Sequence, residues 1–286
     1  MNVLEVIQRS AEFLAGKGVE SPRLQTELLL AHCLKLPRLH LYLNFERALS
    51  APELDAFREL IKRRGRREPL QHLVGSTSFC GLEIAVDRRV LIPRPETELL
   101  AEQGWRFLNE LASRSTEPPT ALDFGTGSGC LAIALARHCP AARLWALDIS
   151  TAALELARQN AARHGLADRI EFLAGEGLAA APEGKRFHLL ISNPPYIPTP
   201  EIAQLQPEVR DYDPRQALDG GPDGLDFFRQ LAGVARSRLA PGGRLMLEFG
   251  EAQGEPLREL FEQQKWIVEP LVRDYNQRLR ILIAHG

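Results

Sequence analysis

The stretch Ala121-Leu122-Asp123-Phe124-Gly125-Thr126-Gly127-Ser128-Gly129-Cys130 is a short apolar run that ends in three alternating glycines. A strand of this kind, a glycine turn and a helix predicted to continue to Arg137 let backbone approach a nucleotide or amino-acid cofactor closely at the helix N-terminus. Downstream the texture repeats. Leu144 to Leu147 is followed by a helix over Thr151 to His164, then Ile170 to Ala174 and Phe187 to Ile191. After a predicted helix over Leu225 to Leu239 come Gly243 to Phe249, Trp266 to Val268 and Leu279 to Ala284. Short apolar strands separated by helices predict a parallel α/β sheet covered on both faces.

The loop spacing narrows the cofactor. A dinucleotide fingerprint needs glycine at position 130, where Cys130 stands, so the pattern is GxGxG and a nicotinamide or flavin reading weakens. Asp148 closes the second strand, where an acidic side chain can accept hydrogen bonds from both hydroxyls of a ribose. Asp123 can anchor the turn or face a cofactor ammonium through water. The plainer alternative for both is a cap on a strand end.

The fourth strand ends in Ser192-Asn193-Pro194-Pro195-Tyr196. Two successive prolines remove two backbone N–H donors, so the turn presents acceptors: the Asn193 side-chain oxygen and the Pro194 carbonyl. Such a site suits a planar NH2 group with two hydrogens to give, and the Tyr196 ring offers a face to stack on that plane. An Asn-Pro-Pro turn that merely closes a strand would leave its coincidence with the glycine loop on one sheet edge unexplained.

At roughly 150 residues per domain, 286 residues suggest one medium domain with a smaller companion. A chain that is 44% hydrophobic and 25% charged, without repeats, excludes disordered and collagenous classes. Leu4, Ile7, Ala11 and Leu14 share a helical face, Ser21-Pro22 starts a second helix, and Arg38 to Leu49 is a third segment. Ser50 with Glu53 forms a capping box for a helix that Gly65 closes. Gln71 to Ile92 reads as a hairpin or short paired strands, with Leu82 to Val86 and Val90 to Ile92 as its apolar stretches. A helix follows over Glu96 to Leu111. Ile197 to Gly224 is too interrupted by proline and glycine for a helix and too long for an ordinary connection, which predicts a lid or substrate wall.

Residues 1–67 hold 12 basic and 8 acidic groups against 23 and 29 in the remainder, so residues 68–286 carry −6. The cluster Lys62, Arg63, Arg64, Arg66 and Arg67 reads as a solvated helix end. Cys33, Cys80, Cys130 and Cys139 lack metal-ligand spacing and read as buried thiols, and no metal is expected. The absence of a long apolar run and of a basic-then-apolar leader predicts a cytoplasmic chain with no membrane partner.

The GxGxG loop after Asp123, the acidic Asp148 and the Asn-Pro-Pro-Tyr turn resemble the S-adenosylmethionine-dependent methyltransferases of planar amino and amide nitrogens. Ile92-Pro93-Arg94-Pro95-Glu96-Thr97-Glu98, Gln71 with Gly75 and Phe79, Ala217-Leu218-Asp219-Gly220-Gly221 with Asp223-Gly224-Leu225, and Leu247-Glu248-Phe249-Gly250 bring it closer. Over essentially its whole length the chain is similar to the HemK-like peptide chain release factor glutamine methyltransferases. The resemblance implies a helical substrate-recognition domain at 1–67, a β-hairpin linker at 68–93 and a seven-stranded Rossmann-like methyltransferase domain at 94–286. It implies transfer of a methyl group from S-adenosylmethionine to the glutamine amide of the Gly-Gly-Gln loop of class 1 release factors. The cofactor residues it implies are Gly125, Thr126, Gly127, Ser128, Gly129, Asp148 and Asn193. The implied substrate residues are Asn193, Pro194, Pro195 and Tyr196, and the expected state is a monomer without direct nucleic-acid contact.

There are departures. Where the family often has an acidic residue followed by a bulky apolar one against the adenine, this chain has Gly175-Glu176-Gly177-Leu178. Glu176 can still accept from the adenine amino group, but Gly177 offers no flat wall and leaves that role to Leu178. Asn276 replaces a usual glycine. Arg94, Glu96 and Glu98 read as ties between linker and catalytic domain, with one of them as an alternative lining of the glutamine pocket. The basic cluster acquires an alternative as a contact for an acidic release-factor face. Rival readings are a nucleobase amino methyltransferase, which the −6 of residues 68–286 disfavours, methylation of a glutamine in another translation protein, a nicotinamide oxidoreductase, and a binding module with no activity.

Overall fold

The computed structural model describes residues 1–286 and divides into two compact units, one of residues 1–76 with 205–212 and one of 77–204 with 213–286. The helical unit extends past residue 67 because Leu73 of α5 (Leu70–Val74) is buried in its core with Leu14, Leu30 and Phe57. Its other helices are α1 (Val3–Gly16), α2 (Pro22–Leu34), α3 (Arg38–Tyr42) and α4 (Ala51–Gly65). Ser50 Oγ and the Glu53 carboxylate cap one another's backbone at the start of α4, as the sequence predicts.

The basic cluster at the end of α4 is neither a solvated helix end nor a free contact surface as a whole. Arg64 is buried and donates to Glu208 Oε1 at 2.6 Å, while Arg67 bonds both oxygens of the same carboxylate. Arg63 pairs with Glu68 at 2.7 Å. Burial raises the Glu208 pKa, but the hydrogen bonds from Arg67 and Arg64 outweigh it and hold the group below the ordinary carboxylate range. Glu208 lies on the single turn α9 (Pro207–Arg210), so this short piece of the proline-interrupted loop belongs to the helical unit. No helix in the chain is long and apolar enough to cross a membrane.

The second unit, from Thr77, takes in all but the first residue of a hairpin of β1 (Ser76–Phe79) and β2 (Leu82–Ala85). Cys80 and Gly81 both have positive φ, the signature of the two-residue turn whose twist matches its strands. Val90 to Ile92 is not a strand: Val90 and Ile92 are buried as single side chains in a segment without regular structure. The helix α6 (Pro95–Arg114) buries Leu100, Phe107 and Leu108.

The main sheet contains β3 (Thr120–Phe124), β4 (Arg143–Asp148), β5 (Ile170–Ala174), β6 (Phe187–Ser192), β7 (Leu239–Glu248), β8 (Ile267–Val268), β9 (Val272–Arg273) and β10 (Leu279–His285). Its order is β5-β4-β3-β6-β7-β10-β8, with β9 also on β10. It counts eight strands rather than the seven expected, because two short strands, β8 and β9, share β10 as partner. Pairing is parallel from β5 to β7 and antiparallel at β10. Helices α7 (Cys130–His138), α8 (Thr151–Arg163), α10 (Asp226–Val234) and α11 (Gly254–Gln263) complete the unit. From β3 the chain moves outward through β4 and β5, and then returns to β6 on the other side. That reversal opens a crevice beyond the strand ends of β3 and β6, where open α/β sheets bind ligands.

Candidate active site

Both sequence motifs leave this crevice. Asp123 of β3 is in register with Ile191 of β6, and Ser192 Oγ donates to the Phe124 carbonyl, so the starts of the two loops are tied directly. Gly125 and Thr126 donate backbone N–H groups to Leu147 O at 2.8 and 3.0 Å, and Gly127 N donates to Asp148 Oδ2 at 2.8 Å. The glycine loop is thus pinned to the end of β4. Gly125 and Gly127 have φ of 74° and 53°. A Cβ at Gly127 would meet nothing within 4 Å and one at Gly125 only Ser192 Oγ at 3.9 Å, so side chains there would fill the open space in front of the loop.

That space is a cavity of about 320 Å³, lined by Gly125, Gly127, Asp148, Glu176, Asn193 and Pro195 among others. Its apolar wall includes Phe124, Leu147, Ile149 and Phe227. Thr126, Ser128 and Gly129 are not in the lining: the Thr126 hydroxyl donates to buried Asp123 Oδ2 at 2.6 Å, the Ser128 carbonyl accepts from Asn160, and Gly129 caps α7. Asp123 anchors the turn, since its Oδ2 also accepts from Ala132 N at 3.1 Å. Each oxygen of Asp148 takes one protein N–H, from Gly127 and Ser150, and keeps a lone pair free for a diol. Leu178 does not supply the apolar wall, because it is buried in the core with Trp145 and Phe187; exposed Ile149 stands in the lining instead. Pro214, Gln216 and Ala217 also line the cavity, so part of the Ile197–Gly224 loop is a wall.

Pro194 and Tyr196 do not line this cavity. Pro194 is buried and Tyr196 half-buried, with its hydroxyl 3.5 Å from Glu248 Oε1. The Tyr196 carbonyl accepts from Gln253 Nε2 at 2.8 Å, and the same side chain bonds Gly224 O and Gly250 N. Gln253 therefore clamps three loops at one point.

Thr97 and Glu248, two polar residues of the flanking motifs, form a hydrogen-bonded chain with Asn193. Its Nδ2 donates to Thr97 Oγ1 at 3.0 Å, and the Thr97 hydroxyl donates to Glu248 Oε2 at 2.7 Å. Thr97 is buried in the first turn of α6, and Glu248 is buried at the end of β7. The signal for both was a polar residue on a face otherwise apolar. The flanking motif residues act as ties: Arg94 pairs with Asp213 at 2.6 Å, and Glu98 accepts from Cys80 N at 2.9 Å.

Burial, chiefly, pushes Glu248 up to about 7, with Glu96 adding to it and Thr97, Arg280 and Tyr196 opposing. Burial does the same to Asp123, to about 7, and to Asp213, to about 6. For Glu248 the folded chain keeps a proton between about pH 4.5 and 7 that the unfolded chain releases, so its contribution to stability falls as pH rises through that window. Glu248→Gln, neutral throughout, should gain on the wild type by up to about 3 kcal/mol between pH 4.5 and 8. Urea midpoints of both proteins across that range check this; a gap that closes with rising pH contradicts it.

Residues 5–75 match the PrmC N-terminal domain family, and residues 102–204 match the methyltransferase small domain family. The release factor glutamine methyltransferase of Geobacter sulfurreducens is 45% identical over 91% of this chain and 88% of its own. That of Chlorobaculum tepidum is 43% identical over 96% of this chain and 94% of its own. Among solved structures, a methyltransferase from Pyrococcus furiosus superposes with a TM-score of 0.53 at 19% identity, covering 79% of this chain and 98% of that one. The human methyltransferase 10 domain containing protein gives 0.51 at 17%, covering 72% and 88%. These two likenesses concern the fold.

Proposed function

The chain belongs to the release factor glutamine methyltransferase family and is an enzyme of methyl transfer, and from that premise we propose that it methylates the side-chain amide nitrogen of the glutamine in the Gly-Gly-Gln loop of class 1 release factors, with S-adenosylmethionine as donor. The observation that carries the reading is Asn193: it lines the cavity beside the glycine loop, gives its own NH2 to Thr97, and keeps Oδ1 free of any protein hydrogen bond.

The residues present fit the donor. Gly125 and Gly127 leave room against bare backbone, Asp148 retains acceptors for a ribose, and Glu176 can accept from an amino group. Bound there, S-adenosylmethionine supplies an electrophilic methyl group. The rest is the work of the chain. An amide nitrogen is a poor nucleophile because its lone pair is shared with the carbonyl, a resonance that also gives the peptide bond its rotation barrier of about 18–20 kcal/mol. Asn193 Oδ1 and the Pro194 carbonyl accept the two amide hydrogens, which leaves density on nitrogen and fixes the plane. Such orientation can contribute about 7–11 kcal/mol toward a barrier. Tyr196 holds the far side of the glutamine plane. The turn itself carries no carboxylate, so the proton leaves to water after the N–C bond forms. The −6 of residues 68–286 speaks against a nucleic-acid substrate.

Peptide mass spectrometry of a class 1 release factor incubated with this protein and S-adenosylmethionine should show one added methyl group on the Gly-Gly-Gln glutamine, absent from a Gln-to-Ala substrate. Donor binding without that methyl group would overturn the substrate assignment.

A further inference from the structure

Which end of the Asn193 amide faces outward is decided two side chains away. The Thr97 hydroxyl has one hydrogen, directed at Glu248 Oε2, so toward Asn193 its oxygen can only accept. Asn193 must then offer Nδ2 to Thr97, and Oδ1 is left over. If the hydroxyl turned round, Thr97 would donate to Asn193 Oδ1, and Nδ2 would be left over instead. A substrate NH2 would then meet a donor. What forbids the reversal is that an ionised carboxylate has no hydrogen to give Thr97 in return.

We propose that Glu248 is a positioning residue for methyl transfer: through the Thr97 hydroxyl it fixes the amide orientation in which Asn193 presents oxygen to the substrate NH2, and protonation of Glu248 frees that orientation. This rests on the glutamine-amide reading above. The carboxyl sits where it is costly, at the end of a strand whose neighbours Leu245, Met246, Leu247 and Phe249 are buried and apolar. It is faced by Thr97 and Glu96 from α6, Tyr196 from the proline turn and Arg280 from β10. Glu96 and Arg280 pull in opposite directions and burial prevails, which brings its titration to about 7. The switch from acceptor to donor thus falls within the range where the enzyme can be assayed. Ionised Glu248 weakens the fold and aligns the site, the opposition expected where function sets a residue against stability.

The test uses full-length wild type, Thr97→Val, Thr97→Ser and Glu248→Gln, with calorimetric S-adenosylmethionine binding beside steady-state methylation of a release factor from about pH 5.5 to 9. Thr97→Val keeps the shape and removes the hydroxyl; kcat should fall roughly 10- to 100-fold while donor affinity stays within about threefold. Thr97→Ser should restore kcat to within about threefold of the wild type. Wild-type kcat should fall on the acid side with a midpoint near 7. In Glu248→Gln, whose amide can accept or donate, that acid limb should vanish and leave a lower plateau. A Thr97→Val enzyme with wild-type kcat, or an acid limb retained in Glu248→Gln, overturns the proposal. If Thr97→Val fails to bind donor, the Glu248→Gln pH profile decides alone. A wild type that binds donor and leaves the glutamine unmethylated overturns the functional reading, and the proposal with it.

Discussion

Asn193→Ala will reduce methyl transfer by roughly 10³-fold or more, while S-adenosylmethionine binding weakens by less than about tenfold. The asymmetry follows from what the side chain touches. On the donor side the cavity is built from many other groups, Gly125, Gly127, Asp148, Glu176 and Phe227 among them, so one lost side chain removes a small part of the contact. On the substrate side Asn193 Oδ1 is one of only two acceptors that the proline turn offers, and the amide it must hold is a weak nucleophile. Alanine also leaves Thr97 Oγ1 without the donor it accepts from. Asn193→Asp tests the same point from the other side. It keeps an acceptor but removes the NH2 that Thr97 needs and sets a second carboxylate close to Glu248, so it should not rescue. Calorimetry for the donor and a single-turnover methylation assay separate the two effects; equal losses in both would withdraw Asn193 from the substrate role.

The parts of the site that were legible in the sequence are those whose physics is local. Three alternating glycines after an apolar strand, and two prolines after another, restrict backbone whatever surrounds them, and the parallel sheet then delivers both to one edge because Asp123 and Ile191 are in register. Thr97 and Glu248 were not legible as a pair. They lie 151 positions apart, and only the packing of α6 against the end of β7 turns a helix threonine and a strand glutamate into one hydrogen-bonded chain with Asn193. The same holds for Arg64 and Glu208, 144 positions apart, whose pairing removes Arg64 from the solvent that a run of basic residues suggests. Leu178 fails differently. Its neighbours Glu176 and Gly177 do line the cavity, but its own side chain is claimed by the core with Trp145 and Phe187, a choice that depends on the turn of the backbone at Gly177, where φ is 66°. Val90 and Ile92 have strand composition without a partner strand, so burial alone accounts for their apolar character.

Gly224→Ala is the second change expected to be severe, although residue 224 is not in the cavity lining. Its φ is +78°, which costs an alanine about 1–2 kcal/mol. The larger effect is steric. A Cβ there would lie 2.4 Å from the Tyr196 carbonyl oxygen and 2.5 Å from Gln253 Nε2, and these two atoms are hydrogen-bonded to each other at 2.8 Å. Neither can withdraw without loss, because the carbonyl follows directly on the proline turn and the Gln253 amide also bonds Gly224 O and Gly250 N. The alanine must therefore push the clamp open and shift the turn that carries Asn193 to Tyr196. We expect about 2–4 kcal/mol of lost stability together with a fall in kcat of roughly 10²-fold, since displacement by about 1 Å at a reacting group is worth that much. Gly233→Ala supplies the comparison: this glycine lies in α10 with nothing within 4 Å of its Cβ position, so alanine should leave kcat unchanged and raise stability by about 0.5–1 kcal/mol. Denaturant midpoints and kcat for the two variants decide the matter. If Gly224→Ala behaves like Gly233→Ala, the Gln253 clamp does not hold the turn, and the geometry of Asn193 must be secured by Thr97 and the two prolines alone.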